Sequence, residues 1–192
     1  GRVFRKKGYQ IPASGKTAKG TNIVNILQVD PGERVSAMIS TRVLDDEEKY
    51  LVMVTRSGTV KRLAVSSLKN IRLTGIRALK LDEGDELLFV LHTYGDNQLL
   101  MATATGAAVR FAEEQVRPMG RSARGVIGIA LRGDDRVVGA VMVDPEKTLV
   151  TITENGYGKR TPFDDFRLMK NRGGYGVVCQ NCTGKTGPLC GI

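Results

Sequence analysis

Few residues in this chain could carry covalent or metal chemistry. Three cysteines stand near the end, at Cys179, Cys182 and Cys190. The Cys-x2-Cys spacing is half of a zinc knuckle, but a structural zinc site takes four ligands. The single histidine, His92, lies far off in sequence and follows an apolar run, where a satisfied structural role is expected. The cysteines therefore read as small residues filling strand interiors, and so few of them point to a reducing compartment. No metal site is expected. Asn155-Gly156-Tyr157-Gly158-Lys159-Arg160-Thr161 ends like a phosphate loop, but Thr153 stands where the first glycine is required and no helix pattern follows. The carboxylates cluster in turns such as Asp82-Glu83-Gly84-Asp85, where Asp and Gly are ordinary turn formers. The chain is expected not to be an enzyme by itself.

The side chains in surplus are cationic. The 192 residues hold 29 Lys and Arg against 20 Asp and Glu, a formal net charge of +9. Such an excess points to a polyanionic partner. No apolar run approaches the ~20 residues that span a bilayer, and no signal-peptide pattern opens the chain. A cytoplasmic location without membrane contact is expected.

The elements that must position these cations repeat with a period near 50 residues. An apolar run ending in a tight turn appears at Tyr50 to Gly58, Leu99 to Gly106 and Leu149 to Gly156. Ser, Thr or Asn precedes each glycine, and Asn-Gly is a preferred hairpin turn. A short basic strand follows each turn: Thr59-Val60-Lys61-Arg62, Ala108-Val109-Arg110 and Gly158-Lys159-Arg160. Gly1-Arg2-Val3-Phe4-Arg5 fits the same slot, so a preceding strand is expected upstream of Gly1. A third marker, glycine before an alternating strand, recurs at Gly20, Gly75, Gly125 and Gly176. A closing strand is predicted at Val35 to Ile39, Leu87 to Val90, Val137 to Val141 and Leu189 to Ile192. Each unit thus holds about four short strands and no helix period. The fold expected is all-β and propeller-like, one domain with repeats at 1–49, 50–97, 98–147 and 148–192.

The repeat sorts charge by phase. Residues 1–20, 56–77, 106–125 and 156–176 hold 21 of the basic residues and 4 of the acidic ones; the remainder holds 8 basic and 16 acidic. The acidic phase includes Asp45-Asp46-Glu47-Glu48. In a radial array, equivalent positions fall along one rim, so the basic phase would form a belt suited to the DNA phosphate backbone. No recognition helix is visible, and the expected mode is backbone contact with bending of duplex DNA. The candidate DNA-binding residues are Arg5, Lys6, Lys61, Arg62, Arg72, Arg77, Arg110, Arg117, Arg121, Arg124, Lys159, Arg160 and Arg172, followed by Lys16 and Lys19. About half of the chain's basic residues are expected to face phosphate.

Glu154-Asn155-Gly156-Tyr157-Gly158-Lys159-Arg160-Thr161-Pro162 and Arg172-Gly173-Gly174-Tyr175-Gly176 resemble the C-terminal repeats of DNA gyrase A. So do Val116 to Gly125 and Ile11 to Gly20. The resemblance covers essentially the whole chain. It implies a β-pinwheel whose neighbouring blades exchange strands, here an incomplete set of the family's six. It also implies that duplex DNA wraps a basic perimeter to support negative supercoiling. The implied partners are duplex DNA, the rest of gyrase A, and gyrase B. The catalytic tyrosine, and the ATP and Mg2+ used by the holoenzyme, would lie outside this chain, leaving it no cofactor of its own. The family's Gln-Arg-Arg-Gly-Gly-Lys-Gly box is not found here and would lie upstream. Two other readings are the equivalent C-terminal domain of topoisomerase IV and a protein-binding β-propeller scaffold. The scaffold would explain the repeats but not the charge sorting.

Overall fold

A computed structural model describes residues 1–41 and 48–192. Asp45, Asp46 and Glu47, in the expected acidic run, lie outside them. The described strands are β1 (Arg2–Val3), β2 (Tyr50–Thr55), β3 (Thr59–Ala64), β4 (Ile76–Arg77), β5 (Leu87–Thr93), β6 (Gln98–Thr103), β7 (Ala107–Ala112), β8 (Val126–Ile127), β9 (Val137–Met142), β10 (Thr148–Thr153), β11 (Gly158–Pro162), β12 (Leu168–Met169), β13 (Val177–Val178) and β14 (Leu189–Gly191).

The three apolar-run-and-turn segments form the hairpins β2–β3, β6–β7 and β10–β11. In each, the first strand shifts register at its last threonine: Thr55, Thr103 or Thr153. All three threonines are buried. Their Oγ1 atoms accept hydrogen bonds from the amides of Thr59, Ala107 and Tyr157 across the turn. The threonine therefore clamps the turn that the glycine allows.

A sequence repeat is not a sheet. The short strand after each basic loop leaves its own unit and pairs with the preceding one. β4 pairs with β1, β8 with β3, and β13 with β7, all antiparallel. The closing strand stays at home, β5 on β2, β9 on β6 and β14 on β10. The second sheet is thus ordered β5-β2-β3-β8, with its last strand donated by the third repeat. β12 also leaves home, adding to β7 in parallel.

Packing follows from this exchange. Leu51, Met53 and Leu63 face one way and join Ala78 and Leu79. Val52, Val54 and Val60 face the other and join Leu99, Met101, Val109 and Ile129. A strand covered on both faces reads as a continuous apolar run, which is why β2 is buried from Leu51 to Thr55. β10 carries the same run but alternates, with Leu149, Thr151 and Thr153 buried and Val150 and Ile152 exposed.

The first unit departs from the prediction. Val35 to Ile39 forms no strand, and Ile23–Asn25 is a 3-10 turn rather than part of an exchanged strand. A β-strand exists only through hydrogen bonds to a neighbour, and no described strand pairs with either segment, although Ile39 packs against the core under β2 and β3.

Candidate nucleic-acid interface

Counting from the turn glycines Gly1, Gly58, Gly106 and Gly156 puts the four repeats in one register. Four residues on, every repeat has arginine: Arg5, Arg62, Arg110 and Arg160. A 3-10 turn follows, at Gly8–Gln10, Val65–Leu68, Glu113–Gln115 and Phe163–Asp165. A loop then runs to the exchanged strand. In three repeats this loop makes a hydrogen-bonded turn, with Lys16, Leu73 or Arg121 at its first tip position. These turns are closed by the amides of Ala18, Gly75 and Ala123.

The structure splits the sequence-predicted cations into two groups. Arg5, Lys6, Arg72, Arg77, Arg117, Arg121, Arg124, Lys159 and Arg160 are exposed, as are Lys16 and Lys19. Among the described residues only Arg124 of these makes an ion pair, with exposed Asp82 at 3.0 Å. Such a rim pair is weak and easily exchanged.

Lys61 and Arg62, both buried, are corrections to the predicted phosphate contacts, while Arg110 and Arg172 are part-buried and engaged with the neighbouring repeat. Lys61 is fully buried, and its Nζ donates to the carbonyls of Ala78, Arg121 and Ala123 at 2.6, 2.9 and 3.0 Å. An ammonium has three N–H donors, so none is left for a phosphate. Burial pulls this ammonium down to about 8. Arg62 lies over the Tyr50 ring at 3.8 Å and pairs with Glu113. Arg110 donates through Nε to Gln98 and through Nη1 to the carbonyls of Phe163 and Phe166. Arg172 donates to the carbonyls of Gln115 and Ile127, and its amide to the Gln115 side chain. These four cations fasten one repeat to the next. The repeat phase grouped them with the exposed ones; it could not tell a side chain covered by the neighbouring repeat from one left open.

Glu113, which the sequence reading did not single out, completes this fastening. Glu113 is fully buried and accepts from Thr93 Oγ1 at 2.5 Å and the Gly95 amide at 3.2 Å. Its sequence signal was a carboxylate just after a basic strand. Within their own repeats, Asp85, read as a turn former, and Asp135, which the sequence reading did not mention, accept from the hydroxyls and amides of Ser57 and Thr105 in the hairpin turns. Burial raises these two carboxyls, but the hydrogen bonds outweigh it and hold both below the usual range.

The remaining chemistry-bearing residues form no cluster. Among the described residues no group of His, Cys, Asp and Glu could hold a metal ion. Cys179, just after β13, is buried in the core and its thiol is pushed up to about 11 by burial; Cys182 is half-buried against the same core, and Cys190 is exposed on β14, so the interior reading holds for the first, in part for the second and not for the third. His92 sits in β5 edge-on to Tyr94, and its buried Nε2 has no hydrogen-bond partner among the described residues, so it is not seen there as the satisfied histidine expected. No described helix is long and apolar enough to cross a membrane.

The arrangement of exchanged strands and basic loops can be matched to known proteins. The family model for the DNA gyrase C-terminal domain, β-propeller, matches residues 1–42, 49–93, 97–144 and 147–181. The chain belongs to that family. The DNA gyrase A of Aminobacterium colombiense is 45% identical over all of this chain, which spans 23% of that relative. Two solved structures are similar. One is the C-terminal domain of a DNA topoisomerase IV, with TM-score 0.81 and 27% identity over 88% of this chain and 53% of that one. The other is a DNA gyrase A C-terminal domain, with TM-score 0.78 and 25% identity over 90% of this chain and 57% of that one. The chain spans less than a quarter of the curated gyrase A relatives it matches.

Proposed function

We propose that this domain binds duplex DNA through the exposed cations of its basic loops and bends or wraps it. In this reading it supports negative supercoiling by a gyrase holoenzyme. The rest of gyrase A, together with gyrase B, are its partners in the cytoplasm. Cleavage and ATP hydrolysis occur in those other parts, and this chain contributes geometry without a cofactor.

The observation that carries the reading is the recurrence of exposed cations at equivalent loops. Arg72 and Arg77, then Arg117, Arg121 and Arg124, are exposed in successive repeats. Three tyrosines are exposed within or beside the basic stretches, but each lies against a cation: Lys7 on Tyr9, Arg132 on Tyr175, Lys185 on Tyr157. So few aromatics in the basic stretches offer little platform for base stacking, which supports duplex over single strand.

The test is a titration of labelled duplex against salt, followed by topoisomer analysis of nicked circles religated with the protein bound. Affinity should fall by about 0.9 log units per log salt for each phosphate neutralised. A shift in linking number marks a chiral wrap. A salt-insensitive interaction, or none, would overturn the reading and favour a protein-binding scaffold.

A further inference from the structure

From the second repeat on, each basic loop belongs to one repeat in sequence and is fastened to the repeat before it in space. The loop of the second repeat is held by Arg2, whose Nη1 donates to the Thr74 carbonyl at 3.1 Å. That of the fourth is held by β12 on β7 and by Arg172 against Gln115 and Ile127. In the third repeat the fastening has two points. The Met119 amide donates to the Arg62 carbonyl at 2.9 Å, with Pro118 bridged to Arg62. The second point is the Lys61 ammonium, seated on the carbonyls of Arg121 and Ala123. Between these points stands the turn from Gly120 to Ala123, with Arg121 exposed at its tip.

The third bond of Lys61 goes to Ala78, the residue after exposed Arg77. One buried cation therefore joins the backbone beneath the exposed arginine of the second repeat to the backbone beneath the arginine loop of the third. The Lys80 amide also donates to the Ala123 carbonyl, at 3.2 Å, which closes the link. The register makes this lysine particular. The residue three after the turn glycine is Phe4 in the first repeat and Val109 in the third, neither of which can donate. In the fourth it is Lys159, which is exposed.

We infer that Lys61 is a positioning residue for DNA contact, setting the path of the Arg117–Arg124 loop and its spacing from Arg77 without touching DNA itself. This rests on the duplex-binding reading above. A flexible loop carrying the same charges would have to be ordered at the moment of binding, and that ordering subtracts from affinity. A loop already bolted to the neighbouring repeat offers its arginines at a fixed interval.

The test is a mutant cycle on the full 192-residue chain, read by affinity for a labelled duplex over a salt series. Lys61→Met keeps length and volume but removes the donors. It should lower affinity by roughly tenfold and reduce the salt slope by about 1 to 3, the loss of one to three phosphate contacts. In a background where Arg117, Arg121 and Arg124 are already alanine, Lys61→Met should change affinity by less than about twofold, because residues acting as one unit are not additive. A lysine that only supported the fold would give the same loss in both backgrounds. Thermal melts and circular dichroism check folding; if Lys61→Met does not fold, Lys61→Gln, which retains two N–H donors, is put through the same cycle. Unchanged affinity and slope, or full additivity, would overturn the inference while leaving duplex binding intact. Failure of the unmutated chain to bind duplex would instead overturn the reading beneath it.

Discussion

Arg62 of the second repeat and Glu113 of the third form a buried ion pair, with Nε 3.2 Å from Oε1 and the two side chains 9% and 0% exposed. The Tyr50 ring covers the guanidinium. The hydrogen-bond donors to the carboxylate are Thr93 and Gly95. A buried pair gains little over apolar packing, but removing one partner strands the other charge at a cost of about 3–5 kcal/mol. Glu113→Ala should therefore cost stability on that scale, measured by urea or thermal unfolding. Arg62→Ala should cost less, because Glu113 keeps both of its hydrogen-bond donors, Thr93 and Gly95. Equal, small losses would mean that water reaches the pair.

The division between fastening and exposed cations predicts two kinds of arginine variant. Arg121→Ala with Arg124→Ala should leave the melting temperature within a few degrees of the parent. It should lower the salt slope of duplex binding by about 1 to 2 and weaken all sequences alike. Arg110→Ala should do the reverse in the first instance, lowering stability by roughly 1–3 kcal/mol through the stranded carbonyls of Phe163 and Phe166. Binding by the folded fraction, measured below its melting point, should keep the parental slope. A lowered slope in folded Arg110→Ala would return that residue to the DNA-contacting set.

Period and turn chemistry carried most of the fold. The hairpins at Gly58, Gly106 and Gly156 were legible because an apolar run, a turn glycine and a basic strand are all local. The strand exchange was not legible from the residues. Val126 pairs with Val60 rather than with its own repeat, and nothing in a two-residue strand states its partner. The same non-local step misled the reading of Lys61 and Arg62. Sequence phase placed them beside Lys159 and Arg160, which are exposed. Only the loop of the following repeat, laid over β3, separates buried from exposed. Val35 to Ile39 failed for the same reason in reverse, an apolar alternation with no described strand paired to it.

The turn glycines test the exchange directly. At Gly106, φ is +86° and an added Cβ would lie 2.1 Å from the carbonyl of Gln180, where the fourth repeat crosses the turn. Gly156 has φ +80° but open space around it. Alanine at 156 should cost only the left-handed backbone strain, roughly 1–2 kcal/mol. Gly106→Ala must also push the crossing backbone away, and its loss should be clearly larger or should prevent folding altogether. Matching melting temperatures for the two variants would mean that the fourth repeat does not dock on that turn in solution.

Asp85 and Asp135 give the fold an acid limit. Each accepts from a hairpin-turn hydroxyl and amide, and these bonds outweigh burial to depress its folded pKa below the ordinary 3.8. A group depressed on folding contributes stability that is fully present above its unfolded value and is lost as pH falls through the folded one. The melting temperature should hold from neutral pH down to about 5 and then fall, most steeply below the ordinary carboxyl value near 4. Asp85→Asn with Asp135→Asn should melt lower at pH 7, because an amide is a weaker acceptor for Ser57 and Thr105. The gap to the parent should narrow as pH falls below the ordinary carboxyl value, because the parental carboxylates then begin to take up protons and lose these bonds. Thermal unfolding at half-unit steps from pH 7 to 3 checks this, and parallel curves for variant and parent would show that the two turns do not set the acid response.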